Sequence, residues 1–278
     1  MIVAGSESQS LAVALAGETG RELAAVSVEA FPDGEWKAGV GEVGEDVVVV
    51  ASTVSDHTHV ELLQLQDAVR EAGAGEVTTV LPYMGYARQD EAFEPGQPVS
   101  ARAVARAVST GTDRVVVVNP HERAVCDFFD APCEAVDAAA RLAAPLPELD
   151  EPLFLAPDAG ATALAAAVRD AHGGGETDHF QKHRVSDTDV EVRPSNARTA
   201  GRDVVLVDDI VATGATMSTA IDQLSRPARV FVACVHPMLA DGARTKLAAA
   251  GADGVYGTDT VERPVSTVSA APAVADVL

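Results

Sequence analysis

The chain has 278 residues, 47% of them hydrophobic, with 42 acidic and 20 basic residues and a formal net charge of −22. That is enough apolar material for one large core or two ordinary ones, without disulfides or a structural metal. The acidic excess excludes a sequence-independent grip on nucleic-acid backbone and a DNA-binding regulator, both of which need a basic face.

In chain order, "FPDGEW" (31–36) reads as a Pro-Asp-Gly turn. A strand at 46–51, "DVVVVA", precedes a helix at 59–73, where Leu62, Leu63, Gln66 and Val69 fall at helical spacing. Strand 76–83, helix 99–111 and strand 114–119 follow. A Pro-rich break at 144–152 comes next, and the alternation resumes with strand 153–157 and helix 161–175, which ends in a glycine run. The polar stretch 176–192 predicts a mobile loop or a hairpin. Strand 203–208, helix 216–225, strand 228–235 and helix 241–252 complete the pattern. Strands apolar on both faces, separated by helices, predict α/β architecture with mostly parallel sheets flanked by helices. The break near 145 predicts two such domains, 1–143 and 144–278.

Cys126, Cys133 and Cys234 are odd in number and lack CxxC spacing, which fits reduced thiols acting as small core residues. No apolar run approaches the roughly 18 residues that span a bilayer. Residues 1–20 hold no Lys or Arg ahead of an apolar run, so no secretory signal is expected. The expectation is a cytoplasmic protein with no membrane partner. Only Lys37, Lys182 and Lys246 are lysines. A surface so rich in carboxylates and poor in lysine predicts adaptation to molar salt, where the Debye length falls to about 3 Å.

The stretch "VVLVDDIVATGAT" (204–216) carries the chemistry. A loop between a parallel strand's carboxyl end and a helix is where ligands bind in open α/β sheets. Thr213, Gly214, Ala215 and Thr216 bring two hydroxyls and little bulk to a helix N-terminus, which suits a phosphate. Asp208 and Asp209 can accept hydrogen bonds from vicinal hydroxyls, which suits a ribose. No GxxxxGK[ST] motif is present. This stretch resembles the phosphoribosyl pyrophosphate loop of the type I phosphoribosyltransferase fold. With "FPDGEW", "PYMGYARQD" (82–90) and "NPHE" (119–122), in this order, the chain resembles the ribose-phosphate pyrophosphokinase family in its archaeal form.

The resemblance implies two phosphoribosyltransferase-like domains, the first with ATP-site motifs and the second with a ribose 5-phosphate loop and a flexible catalytic loop. It implies transfer of a diphosphoryl group from ATP to ribose 5-phosphate, with Mg2+, in a homo-oligomer whose sites are shared between subunits. Phe31 would stack on adenine, with Asp33, Gly34 and Glu35 completing that loop from a neighbouring subunit. Arg88, Gln89 and Asp90 would meet ATP. His121 would hold magnesium directly or through water, and Asp158 in "APDAGA" (156–161) would meet a magnesium ion at the pyrophosphate end. Lys182 and Arg184 would close over the reacting phosphates, with Arg184 also touching ribose 5-phosphate. Asp208, Asp209, Ala212, Thr213, Gly214, Ala215 and Thr216 would bind ribose 5-phosphate. Three positions depart from many relatives: Asn119 where bacterial members carry Asp, Ala161 for Gly, and Ala212 for Asp or Ser. The rival readings are a type I phosphoribosyltransferase and a non-catalytic nucleotide-binding regulatory homologue.

Overall fold

The computed structural model describes residues 1–184, 190–194 and 197–278, with side chains described for 1–181 and 197–278. It divides into two compact units, one of residues 1–137, 260–262 and 269–278, the other of residues 138–259 and 263–268. The switch thus falls at Asp137/Ala138, six residues ahead of the boundary expected from the Pro-rich break, and the last ten residues belong with the first unit.

The first unit runs β1 (Ile2–Ala4), α1 (Gln9–Thr19), the antiparallel pair β2 (Val26–Ala30) and β3 (Trp36–Val40), then β4 (Asp46–Val50) and α2 (Asp56–Glu71). It continues through β5 (Glu76–Leu81), α3 (Ser100–Ser109), β6 (Arg114–Val118) and β7 (Cys133–Val136). Its five-stranded parallel sheet is ordered β1-β4-β5-β6-β7. Val47 to Val50 and Val115 to Val118 are buried because this sheet is covered on both faces, which is why they read as unbroken valine runs rather than alternating ones. Ser55 caps α2 in a reciprocal box with Thr58. Gln66, placed by its spacing on the inner face of α2, is buried, its amide nitrogen donating to Thr79 Oγ1 at 2.8 Å and the Val108 carbonyl at 3.1 Å.

The second unit contains β8 (Leu153–Ala156), α4 (Thr162–His172), β9 (Glu176–Arg184), β10 (Val190–Pro194), β11 (Asp203–Ile210) and α5 (Ala215–Asp222). After these come β12 (Arg229–His236), α6 (Ala243–Ala250), β13 (Gly254–Thr258) and β14 (Ser266–Val268). Seven strands are ordered β10-β9-β8-β11-β12-β13-β14, and every neighbouring pair is parallel except β10–β9. The polar stretch 176–192 therefore contributes an antiparallel hairpin, with β9 also joining the main sheet beside β8. The chain closes with α7 (Ala271–Ala275), which packs on α1 in the first unit.

The cysteines depart from a scattered core set. Cys234 is buried in β12, but Cys126 and Cys133 are half-buried with their sulfurs 2.6 Å apart. Cys133 donates to Cys126, which lowers the Cys126 thiol and raises Cys133.

Candidate active site

In the second unit, β8 leads through α4 to β9 on one side, and β11 leads through α5 to β12 on the other. The direction of winding reverses between β8 and β11, so a crevice opens outside the carboxyl ends of these two strands. The sequence places its carboxylates there. Residues Asp203 to Val207 of β11 are buried, and pairing with β8 ends at Leu206. The strand then runs on past β8, still paired with β12, carrying Asp208 and Asp209 near its end.

Each carboxylate folds onto the next peptide: Asp208 Oδ1 accepts from the Asp209 N–H at 3.0 Å, and Asp209 Oδ1 from the Ile210 N–H at 2.8 Å. Burial, the Asp209 charge and, more distantly, Asp158 push the Asp208 carboxyl up to about 8. Asp158, just after β8, has Oδ1 accepting from the Gly160 N–H at 2.9 Å and the Ala161 N–H at 3.4 Å. Three carboxylates thus gather at two adjacent strand ends, an arrangement that favours a cation or hydroxyl donors over an empty site.

This strain has a measurable consequence. A carboxyl raised above its ordinary value of 3.8 stabilises the folded, ligand-free protein most fully below that pH. The contribution is lost as the pH rises towards about 8. Asp208→Asn should therefore raise the melting temperature of the ligand-free protein above pH 8, by roughly 5 °C. It should also flatten the stability profile between pH 4 and 8. Thermal unfolding across that range checks it, and an unchanged or lower melting temperature at high pH refutes the strain.

The loop after β11 turns sharply. Gly214 adopts φ +72° at the N-terminus of α5, and a Cβ there would press on Ala243 and Leu247 of α6 at 3.3–3.4 Å. The carbonyls of Val211 and Ala212 accept from the N–H groups of Leu239 and Ala240, at 3.0 and 2.9 Å. Thr213 and Thr216 are exposed, and the first N–H groups of α5 have no helical partner. Ala212, Thr213, Gly214, Ala215 and Thr216 thus form one small-residue turn at a helix N-terminus beside the acid pair, a setting that suits an anion.

In the first unit, β5 and β6 are neighbours whose carboxyl ends carry the other motifs, and the sheet ascends without a reversal. Gly85 donates to Thr53 Oγ1 at 2.9 Å, and a Cβ there would lie 2.2 Å from the Thr53 carbonyl oxygen, so no larger residue fits. Tyr86 follows at φ +63° and hydrogen-bonds to Asp56. This turn presents Arg88 to solvent. Gln89 is engaged within the loop: its amide donates to the Pro98 carbonyl at 3.2 Å and accepts from Ser100 Oγ at 2.9 Å, fixing the start of α3. Asp90 is half-buried beside it. His121 is exposed after β6, where Asn119, at φ +36°, donates to Asp137 at 2.7 Å.

The "FPDGE" loop is the tip of the β2–β3 hairpin. Phe31 and Glu35 are bonded across it at 2.8 Å, Gly34 turns at φ +93°, and the Glu35 N–H donates to Asp33 at 3.2 Å. Phe31 is 38% exposed with Lys37 over its ring, and Gln64 of α2 clasps β3 through Trp36 and Ala38. No hydrogen bond or ion pair among the described residues ties Phe31–Glu35 to Arg88–Asp90. Lys182 and Arg184 lie on β9 opposite Val192 and Val190; their side chains are outside the described residues.

Both units match domains of known proteins. The model of the N-terminal domain of ribose phosphate pyrophosphokinase matches residues 1–111, and that of the phosphoribosyl transferase domain matches residues 133–263. A ribose-phosphate pyrophosphokinase of Halobacterium salinarum is 64% identical over 281 residues, covering 100% of both chains. One from Methanosarcina mazei is 42% identical, covering 100% of this chain and 94% of the relative. The crystal structure of phosphoribosylpyrophosphate synthetase from Mycobacterium smegmatis superposes with a TM-score of 0.83 at 29% identity, covering 99% of this chain and 96% of that one. With both of its units matched and its motifs standing at the expected strand ends, this chain belongs to the ribose-phosphate pyrophosphokinase family.

Proposed function

We propose that this enzyme transfers the diphosphoryl group of ATP to the 1-hydroxyl of ribose 5-phosphate, giving phosphoribosyl pyrophosphate and AMP. The observation that carries the reading is the acid pair Asp208–Asp209 set directly before an anion-binding turn at the reversal between β8 and β11. The turn receives the 5-phosphate and the carboxylates hold the ribose hydroxyls. The 1-oxygen attacks the β-phosphorus and its proton passes to solvent. The bond from that phosphorus to the oxygen bridging to the α-phosphate breaks, and AMP leaves with the electron pair. Such a step needs positioning and charge stabilisation more than a covalent nucleophile. Lys182 and Arg184 supply cations to the reacting phosphates, and Arg88, Gln89 and Asp90 orient ATP.

The donors suit Mg2+. Among the described residues no cluster of three or more His, Cys, Asp or Glu cages an ion. Mg2+ takes oxygen donors, keeps its waters and binds through one or two carboxylates plus substrate phosphates. Asp158 would hold it at the pyrophosphate end and His121, through water, on the ATP side. Bound there, it would neutralise phosphate charge.

Phe31, Asp33, Gly34 and Glu35 complete the ATP site of a neighbouring subunit in a homo-oligomer. Support comes from the exposed hairpin tip, whose hydrogen bonds among the described residues stay within the hairpin. An inactive Asp33→Ala/Glu35→Ala chain mixed with an inactive Lys182→Ala chain should regain activity; mixed oligomers that stay dead would sink the shared site. The protein works in a salt-rich cytoplasm, a setting consistent with its charge and its 64% identity to a Halobacterium relative. No helix among the described residues is long and apolar enough to cross a membrane. The direct test is AMP formation from ATP and ribose 5-phosphate in molar KCl. Release of pyrophosphate from phosphoribosyl pyrophosphate with a base, and no AMP from ATP, would favour a phosphoribosyltransferase.

A further inference from the structure

We infer that Lys246 is a positioning residue that locks the one peptide of the phosphate loop able to flip. Lys246 is the fourth residue of α6, and its Nζ donates to the Thr213 carbonyl at 3.0 Å. In a planar trans peptide the C=O and the following N–H point in opposite directions. Holding the Thr213 carbonyl on the α6 side therefore aims the Gly214 N–H the other way, out of the loop's backing. The peptide before it is fixed likewise: the Ala212 carbonyl accepts from the Ala240 N–H at 2.9 Å, which turns the Thr213 N–H outward. Neither N–H has a partner among the described residues.

The two locks differ in kind. The Ala212 peptide is held by backbone, whereas the Thr213–Gly214 peptide is held by a side chain. It is also the peptide with the most freedom, because a flip changes ψ of Thr213 and φ of Gly214, and glycine tolerates both signs of φ. A flipped peptide would direct a carbonyl oxygen at the anion in place of a donor. Lys246 opposes that flip and brings a positive charge to the turn. It forms no ion pair among the described residues, unlike Lys37, which is bound to Glu29 at 2.7 Å. A chain with only three lysines has one of them here.

This rests on the reading of residues 208–216 as the ribose 5-phosphate site, and the test separates the two. Lys246→Met keeps the aliphatic stem and removes donor and charge; Lys246→Arg keeps both. Ribose 5-phosphate binding is measured by calorimetry in molar KCl, alongside kcat and the KM for ATP. Loss of one exposed, charge-assisted hydrogen bond should weaken ribose 5-phosphate about tenfold in Lys246→Met. The ATP KM and kcat should stay within about twofold, and Lys246→Arg should restore the affinity. Asp208→Asn serves as the reference for the site itself. If Asp208→Asn weakens ribose 5-phosphate and Lys246→Met does not, the lock is refuted. A Lys246→Met defect that arginine fails to rescue, or one that falls on kcat and ATP alike, also refutes it. If Asp208→Asn leaves ribose 5-phosphate binding intact, the site reading fails and the lock with it.

Discussion

Lys182→Ala should lower turnover by roughly 10²-fold or more, the cost of removing a preorganised transition-state charge, while ribose 5-phosphate affinity stays nearly constant. Diphosphoryl transfer moves negative charge between phosphates, and the chain has few cations to meet it: 20 basic residues against 42 acidic ones. Lys37 is bound to Glu29 and Lys246 to the Thr213 carbonyl, which leaves Lys182 as the lysine of the hairpin next to β8. Its backbone, opposite Val192, lies on the β9 side of the strand whose end carries Asp158. The turn proposed for the ribose phosphate, by contrast, follows β11. An effect confined to kcat would mark an interaction made only as the reaction proceeds. Single-turnover measurement of AMP formation, with ribose 5-phosphate binding measured separately, checks both halves. Turnover within tenfold of the unmodified enzyme would end the assignment.

The parts of this fold legible in the sequence are those where burial on both sides removes ambiguity. The valine runs of β4 and β6 and the apolar stretch of β11 can be nothing but inner strands of covered sheets. Strands that lack such burial were not legible. In β2 only Val26 is even half-buried and the rest is exposed, so its hairpin showed in sequence only as the turn at its tip. The short β14 and the five-residue α7 are below the length at which periodicity carries a signal. The acid pair and the small-residue turn, which the structure places at the end of β11 and the start of α5, were readable as local features. The reversal of winding between β8 and β11 was not, because strand order is a long-range property. Gln89 shows the limit most clearly. The resemblance assigns it to ATP, but nothing in the sequence shows that its amide also meets Pro98 and Ser100, bonds set by the fold of the loop. The tether from residues 239–246 to the phosphate turn is likewise invisible in sequence, since two of its bonds are backbone to backbone.

Dilution into low salt should abolish activity by dissociation or unfolding, even with Mg2+ held in excess. A net charge of −22 on 278 residues repels itself, and the reach of that repulsion is set by the Debye length. Screening falls away as that length grows from about 3 Å at 1 M to about 8 Å at physiological ionic strength. The surface has little with which to compensate. Its ion pairs, such as Arg21–Asp46 and Arg114–Glu134, join partly exposed groups and contribute on the order of 0–1 kcal/mol each. They strengthen at low salt, but 20 basic residues cannot neutralise 42 carboxylates, so the uncompensated repulsion governs the sign. Hydrophobic burial changes in the same direction, because salts excluded from protein surfaces strengthen it and their removal weakens it. If sites are completed between subunits, dissociation should extinguish turnover before either sheet melts. Sedimentation, circular dichroism and AMP formation followed across one KCl series would then show assembly and activity falling together, with helical signal lost at lower salt. An assembled, active enzyme at 0.1 M KCl would overturn the salt argument and leave the catalytic assignment untouched.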